Sequence, residues 1–408
     1  MNNEQLDVIA ARGDVRLFDR GVDYAALAAQ HGSPLLVLDC NVLRQQFRAL
    51  SAALPNVTLH YAIKALPEVP AIATLAEEGA HFDIASQGEI ELLRGAGVGP
   101  RQTIHTHPIK RPRDIVAALR AGVTTFVADN ANELEKLARF RDRVAVLLRV
   151  SFRSPDARCD LSKKFGCMPE DVHALLAHAE TLGVQAKGLC FHVGSQSASP
   201  DAHVQAIAAC TALIRGNNAT RDNKLYVLDI GGGFPVDYDG TTQGIEAFCT
   251  PIREALAQMP DSVTVFAEPG RFLAAPAMTC ITSVIGKADR GGKIWYFLDD
   301  GVYNSFSGQI FDHTVYPLTT LRQSDVPPTA RHGGDKPRLS VLAGPTCDSI
   351  DIIAEDIMLP ELAIGDLIVA PMMGAYTSAS ATEFNGFAKT TILALHAPLR
   401  ASNVLRFG

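Results

Sequence analysis

The chain has 408 residues, enough for two or three domains, and its 47% hydrophobic and 20% charged residues suit a soluble globular protein. A net charge of −7 argues against a nucleic-acid partner, and no apolar run reaches the roughly 18 residues of a membrane span. The polar, acidic start from Met1 to Asp14 predicts no secretory signal, and Cys40, Cys159, Cys167, Cys190, Cys210, Cys249, Cys280 and Cys347 are scattered without a CxxC pair, as expected in a reducing cytoplasm.

Along the chain, apolar β-rich runs alternate with helix-like stretches. Strands are predicted over residues 58–63, 81–84, 103–105, 124–128, 144–150, 187–192, 225–230 and 263–268. Helices are predicted over 69–78, 111–121, 132–140, 169–182, 201–215 and 244–259. Such an alternation predicts an α/β fold, a (β/α)8 TIM barrel, with a doubly wound open sheet as the rival. After Phe272 the pattern changes. Strands over 280–288, 294–298, 339–343, 366–370 and 390–396 follow without long helices, and 324–338 reads as a Pro- and Gly-rich loop. The expected division is a barrel over 40–275, with 1–39 and 276–408 in a second, mostly β domain of sandwich or barrel type.

In a barrel of this kind the chemistry sits at the C-terminal ends of the strands. Six predicted strands end there in polar or glycine-rich groups: Lys64, Asp83 to Ser86, Arg149, His192 to Ser195, Gly231 to Gly233, and Glu268 to Arg271. Each has two readings. Lys64 is a solvated lysine, or one that joins an aldehyde as a Schiff base. Gly231, Gly232 and Gly233 are a tight turn, or a nest of N–H groups around a phosphate, with Ser195 and Arg271 adding a hydroxyl and a cation. His192 is a core histidine, or a ring stacked on a flat ligand. Glu268 is a salt-bridge partner of Arg271, or a carboxylate facing a pyridine nitrogen. Taken together, the second readings describe a pyridoxal phosphate site. In the second domain, Cys347 is an inert small hydrophobe, or an exposed thiol among turn residues beside an acid.

The segments Tyr61-Ala62-Ile63-Lys64, Phe82-Asp83-Ile84-Ala85-Ser86, Phe191-His192-Val193-Gly194-Ser195, Gly231-Gly232-Gly233-Phe234, Glu268-Pro269-Gly270-Arg271, Gly344-Pro345-Thr346-Cys347-Asp348 and Gly374-Ala375-Tyr376-Thr377 stand in this order. With them the chain resembles, over nearly its whole length, the fold-type III pyridoxal-phosphate decarboxylases of the alanine racemase barrel, most of all their ornithine/lysine branch. The resemblance implies pyridoxal 5'-phosphate as cofactor. It implies Lys64 as the Schiff-base lysine, His192 against the ring and Glu268 at its nitrogen. It further implies Ser195, Gly231 to Gly233, Gly270, Arg271 and Tyr376 around the phosphate, with Asp83, Glu89 and Arg149 in support. Cys347 resembles the residue that protonates the α-carbon, and in the family it and its acid come from the partner subunit, which implies a head-to-tail homodimer with shared sites.

The resemblance also bears on substrate. Asp348 stands where the diaminopimelate branch has Glu. Phe311-Asp312-His313, following Gly301-Val302-Tyr303, is similar to the segment whose acid grips a distal ammonium. Two carboxylates facing one ammonium reject uncharged side chains. Asp312, Asp348 and Tyr303 are therefore the expected substrate contacts, and L-ornithine or L-lysine the expected substrate. Two positions depart from the family pattern, Leu66 and His107, each in place of Asn. They leave open a specialised decarboxylase of a D-amino acid, diaminopimelate or a modified amino acid. A racemase on the same barrel favours arginine opposite the ring nitrogen, where this chain has Glu268. A non-catalytic homologue is expected to lose Lys64, the phosphate cradle or Cys347, and all are present.

Overall fold

The computed structural model describes residues 21–152, 157–159, 164–322 and 336–399. The first strand, β1 (Leu35–Asp39), follows a helix, Tyr24–His31, and leads directly into the helix Cys40–Ala53. The chain then enters the barrel with β2 (Val57–Ala62), β3 (His81–Ile84), β4 (Thr103–His105), β5 (Thr125–Ala128) and β6 (Ala145–Arg149). β7 (Ala157–Cys159) and β9 (Ser195–Ser197) form a two-stranded ribbon on either side of β8 (Gln185–Cys190), and β10 (Val227–Asp229) and β11 (Thr264–Ala267) complete the set. The eight barrel strands are parallel and closed, because β11 pairs back onto β2 through Val265 and Val57. Closure decides against the open sheet. β5 and β10 are buried throughout, as expected of parallel strands covered on both faces.

Predicted and observed strands agree to within three residues at either end. Among the described residues, three helices of eight residues or more went unpredicted: Tyr24–His31, Cys40–Ala53 and Gln87–Gly95. The second carries a helical stripe of Cys40, Leu43, Phe47 and Leu50, all buried, and the Asp39 carboxylate caps it by accepting from Asn41 N at 2.9 Å. It packs on the helix Ile245–Leu256 and so covers the seam where β11 meets β2.

Beyond β11 the chain passes through the short helix Arg271–Ala274 into β12 (Met278–Arg290), β13 (Lys293–Leu298), β14 (Thr319–Leu321), β15 (Arg338–Ala343), β16 (Ile352–Leu359), β17 (Leu367–Ala370) and β18 (Thr391–Leu395). These join β1 in one mixed sheet of eight strands. β12 is its spine: its first half pairs with β1 and β17 and its second half with β13, with an irregularity between Val284 and Gly286. β1, β14 and β16 were not predicted as strands. Most of the loop expected over 324–338 lies outside the described residues. One large apolar core runs through barrel and sheet, from Leu59 and Phe82 to Ile353 and Ile368, beside two small clusters around Leu35–Ile281 and Val127–Leu147. Among the described residues no helix is long and apolar enough to cross a membrane.

Candidate active site

The chain leaves β2 through a single 3-10 turn, Ile63–Ala65, which holds Lys64 at the barrel mouth. Its Nζ donates to Asp83 Oδ2 at 3.0 Å, and Thr106 Oγ donates to the other oxygen of that buried carboxylate. Lys64 sits deep in the fold yet keeps 43% of its side chain accessible, because it faces the open mouth. Burial pulls its pKa down, but Asp83, Tyr376 and Glu268 outweigh burial and raise it above the usual lysine value. Glu89, in the helix Gln87–Gly95, accepts from Ala85 N at 2.5 Å and so fixes the chain just after β3.

His192 lies just past β8, and its Nδ1 accepts from Gly194 N at 3.0 Å. Burial, then Arg149, Lys64 and His203, hold its pKa well below the usual value, so the imidazole is neutral. Arg149 ends β6 with its guanidinium 5.5 Å from the Phe165 ring centre. Glu268, just past β11, is buried beside Asp229. Burial, Asp229 and Asp83 push the Glu268 carboxyl well above the usual range, while burial lifts Asp229 to about 6. Two buried acids side by side cannot both ionise unless a cation joins them. Glu268 forms no ion pair with Arg271, so its salt-bridge reading is overturned.

The Gly231–Gly233 turn follows β10. Gly231 and Gly233 have φ of 67° and 104°, in the left-handed region. A Cβ on Gly232 would lie 2.6 Å from Glu268 O and 3.1 Å from His192 Nε2. All three carbonyls of the turn are engaged: Gly231 O accepts from Glu268 N at 2.7 Å, Gly232 O from His203 Nε2 at 3.1 Å, and Gly233 O from Ser197 N at 3.0 Å. The N–H groups of Gly232, Gly233 and Phe234 have no acceptor among the described residues. Buried N–H groups of this kind normally have one, and three in succession make a nest for an anion. Nearby, Arg271 is 5% exposed, and donates to Ser195 Oγ and Tyr238 Oη at 3.1 Å each. Its guanidinium lies 4.9 Å from the centre of the Tyr376 ring. Tyr376 reaches the barrel from the β domain, donating its N–H to Ala65 O at 2.9 Å, and its Oη would lie 3.3 Å from a Cβ on Gly270.

Asp312 ends the short helix Gly308–Asp312, and its Oδ2 accepts from Arg271 Nη2 at 2.5 Å. The acid expected at a substrate ammonium is therefore paired, within this chain, with the arginine expected at a phosphate. A buried guanidinium draws the nearest carboxylate to itself. Cys347, Asp348 and Tyr303 form a separate group on the β domain. Tyr303 Oη donates to Asp348 Oδ2 at 2.5 Å, which pulls the Asp348 carboxyl below its usual value. Cys347 is exposed, and its N–H donates to Asn385 Oδ1 at 2.9 Å. The turn is pinned by buried Asp351, whose carboxylate accepts from Val302 N at 2.8 Å, Thr346 N at 3.0 Å and Thr346 Oγ1 at 2.7 Å.

Thus Lys64, Asp83, Arg149, His192, Ser195, Gly231, Gly232, Gly233, Glu268, Gly270, Arg271, Tyr376 and Asp312 gather at the barrel mouth, while Tyr303, Cys347 and Asp348 stand apart. Sequence reasoning missed Thr106, Asp229, His203 and Tyr238. Asp229, an acid inside an apolar strand end, carried a signal; the others did not. The arrangement suits a ligand with an aldehyde for Lys64, a basic ring nitrogen for the Glu268–Asp229 pair and a phosphate for the nest, Ser195 and Arg271. Pyridoxal 5'-phosphate has all three.

Residues 41–275 match the family model of the pyridoxal-dependent decarboxylases, pyridoxal binding domain. The chain is 38% identical over 362 residues to a lysine/ornithine decarboxylase of Selenomonas ruminantium, covering 88% of this chain and 89% of that one. A lysine/ornithine decarboxylase of Vibrio vulnificus, solved with putrescine, superposes with a TM-score of 0.85 at 50% identity, covering 91% of this chain and 96% of that one. Its complex with cadaverine gives 0.85 at 51% identity, with 91% and 97% covered.

Proposed function

The chain belongs to the pyridoxal-dependent decarboxylases, and from that premise we propose that its substrate is L-ornithine, with L-lysine second, converted to the diamine and CO2. It is a pyridoxal-phosphate-dependent carboxy-lyase of basic amino acids. The observation that carries the reading of its site is Lys64 paired with Asp83 at a barrel mouth that also holds the buried Glu268–Asp229 pair and the unspent N–H groups of 232–234.

When bound, pyridoxal phosphate supplies an electron sink for the pair left as the α-carboxylate departs as CO2. Lys64 would hold the cofactor through its amine, and Asp83, 3.0 Å from Nζ, would keep a proton there whenever that amine is free. Glu268 would pair with a protonated ring nitrogen, a cation that would offset the burial and the Asp229 charge that raise its pKa. His192 offers an uncharged ring that does not compete for that carboxylate. Arg271, Ser195 and the glycine turn orient the phosphate.

Cys347 of the partner subunit supplies the proton to the α-carbon, and Asp348 of the partner subunit, with the Tyr303 bonded to it, meets the substrate's distal ammonium opposite Asp312. Support for a shared site comes from the exposed Cys347, whose turn makes its hydrogen bonds inside the β domain and not to its own barrel mouth. A head-to-tail homodimer brings the two groups together. Seven free cysteines among the described residues, six of them buried, support a cytoplasmic location.

The test is a panel of L- and D-ornithine, L- and D-lysine, arginine and diaminopimelate, with the amine product identified by mass. L-ornithine should give the highest kcat/KM. Preference for diaminopimelate overturns the roles given to Asp312 and Asp348, and preference for a D-isomer overturns the stereochemistry.

A further inference from the structure

His203 stands in the helix Asp201–Thr220, outside every motif of the site, and is fully buried. Its ring stacks on Phe234 at 5.4 Å and 26° and meets Phe248 edge-on at 6.0 Å. In this apolar pocket Nδ1 has no hydrogen-bond partner, while Nε2 lies 3.1 Å from Gly232 O. A carbonyl only accepts, so Nε2 carries the proton and the ring is the neutral Nε2–H tautomer. Burial agrees, holding the pKa down at about 4. A phenylalanine would fill the pocket without leaving a buried nitrogen unsatisfied. What the imidazole alone provides is the donor to Gly232.

That donor acts on one peptide unit. The carbonyl of Gly232 and the N–H of Gly233 belong to the same plane. Holding the carbonyl fixes the direction of the N–H and polarises it toward a better donor. The carbonyls of Gly231 and Gly233 are held by backbone N–H groups, from Glu268 and Ser197. Gly232 is the one member of the turn whose carbonyl is held by a side chain. We propose that His203 is a positioning residue for cofactor phosphate, setting the Gly232–Gly233 peptide so that the turn presents its N–H groups to the anion.

This inference rests on the reading of the turn as the phosphate site, and the experiment separates the two. Cofactor-stripped protein is titrated with pyridoxal phosphate, with pyridoxal and with inorganic phosphate, for the parent, His203→Phe, His203→Gln and Arg271→Gln. His203→Phe keeps the stacked ring and removes the donor, and should weaken pyridoxal phosphate and inorganic phosphate by about threefold to tenfold, the value of one hydrogen bond. Pyridoxal affinity should not change, which a merely structural loss would not spare. His203→Gln, with a donor restored, should recover part of the phosphate affinity. Unchanged phosphate affinity in His203→Phe overturns the proposal, as does equal loss of pyridoxal and pyridoxal phosphate. Should His203→Phe not fold, parent-like phosphate affinity in His203→Leu beside a weaker His203→Gln overturns it equally. If the parent itself prefers pyridoxal phosphate no more than pyridoxal and Arg271→Gln changes nothing, the phosphate reading of the turn fails first.

Discussion

Arg271 and Asp312 are joined at 2.5 Å across the junction of barrel and β domain, with 5% and 15% of their side chains exposed. The arginine that would hold phosphate and the acid that would hold a substrate ammonium thus neutralise each other within one chain. A phosphate held at Arg271 would be a second anion beside the guanidinium and would leave Asp312 freer to meet a substrate cation. Asp312→Asn should raise KM for L-ornithine about tenfold or more, the cost of a lost charge-assisted contact. In stripped protein the same change should tighten inorganic phosphate, since a competing anion is gone. Unchanged KM with unchanged phosphate affinity would reduce Asp312 to a structural partner of Arg271.

Lys64 is held protonated by Asp83 against the pull of burial. Its amine must lose a proton before it attacks an aldehyde. Asp83→Asn removes the charge and lets burial prevail, so the pH profile of cofactor attachment should move down by roughly 1–3 units. Attachment is followed by the absorbance of the bound cofactor after mixing with stripped protein. Lys64→Ala should show no covalent cofactor by mass after borohydride reduction and no measurable turnover. Normal turnover by Lys64→Ala would refute the assignment.

Glu268 should matter for rate more than for cofactor retention, because phosphate is held elsewhere. Glu268→Gln keeps shape and removes the carboxylate that would sustain a protonated ring nitrogen. A fall in kcat of about 100-fold or more is expected, on the scale of other lost electrostatic contacts in dry sites, with pyridoxal phosphate still bound. A kcat within threefold of the parent would show that Asp229, raised to about 6 by burial, serves alone.

Much of this was legible in the chain because strand periodicity and polar strand ends are local signals. All eight barrel strands and the six groups at their ends follow from alternation and position. What was not legible depends on contacts far apart in sequence. Asp312 bonds Arg271 across 41 positions, and His203 bonds Gly232 across 29. No spacing rule marks such pairs. The strands β1 and β16 were missed for a related reason. β1 is five residues long and fused to a helix by its Asp39 cap, and the alternation of β16 is broken by the polar Glu355-Asp356 in its middle.

Among the cysteines whose burial is described, Cys347 should be the first thiol labelled in the folded protein. Cys190 and Cys280 are buried, with pKa values pushed well above the usual value by burial, and Cys167 is raised to about 12. Peptide mapping after brief treatment with a thiol reagent should find Cys347 modified and these three protected until unfolding. If the sites are shared in a two-fold dimer, mixing inactive Lys64→Ala and Cys347→Ala chains should restore about a quarter of parental activity, because half the dimers carry one intact site. No restored activity would place both residues in one subunit's site.

The last prediction concerns acid. His60, inside β2, is buried against Phe266 and His81, and burial, then His81, hold its pKa down at about 3. His105 and His203 are likewise held at about 4 by burial. An unfolded chain protonates these rings near 6.5. The unfolded state therefore binds more protons wherever pH lies between the two values. Their contribution to stability is complete above about 6.5 and declines as pH falls toward 4 and then 3. Each ring adds at most about 1.4 kcal/mol per pH unit in that window. Urea unfolding midpoints should drop steeply from pH 6.5 to 4.5 in the parent. His60→Phe, which keeps an aromatic ring against Phe266, should flatten that slope by about one ring's share. Carboxylate titration is common to both proteins, so the difference isolates His60. Identical slopes would mean that His60 gains its proton in the folded barrel without cost, and that burial does not govern its titration.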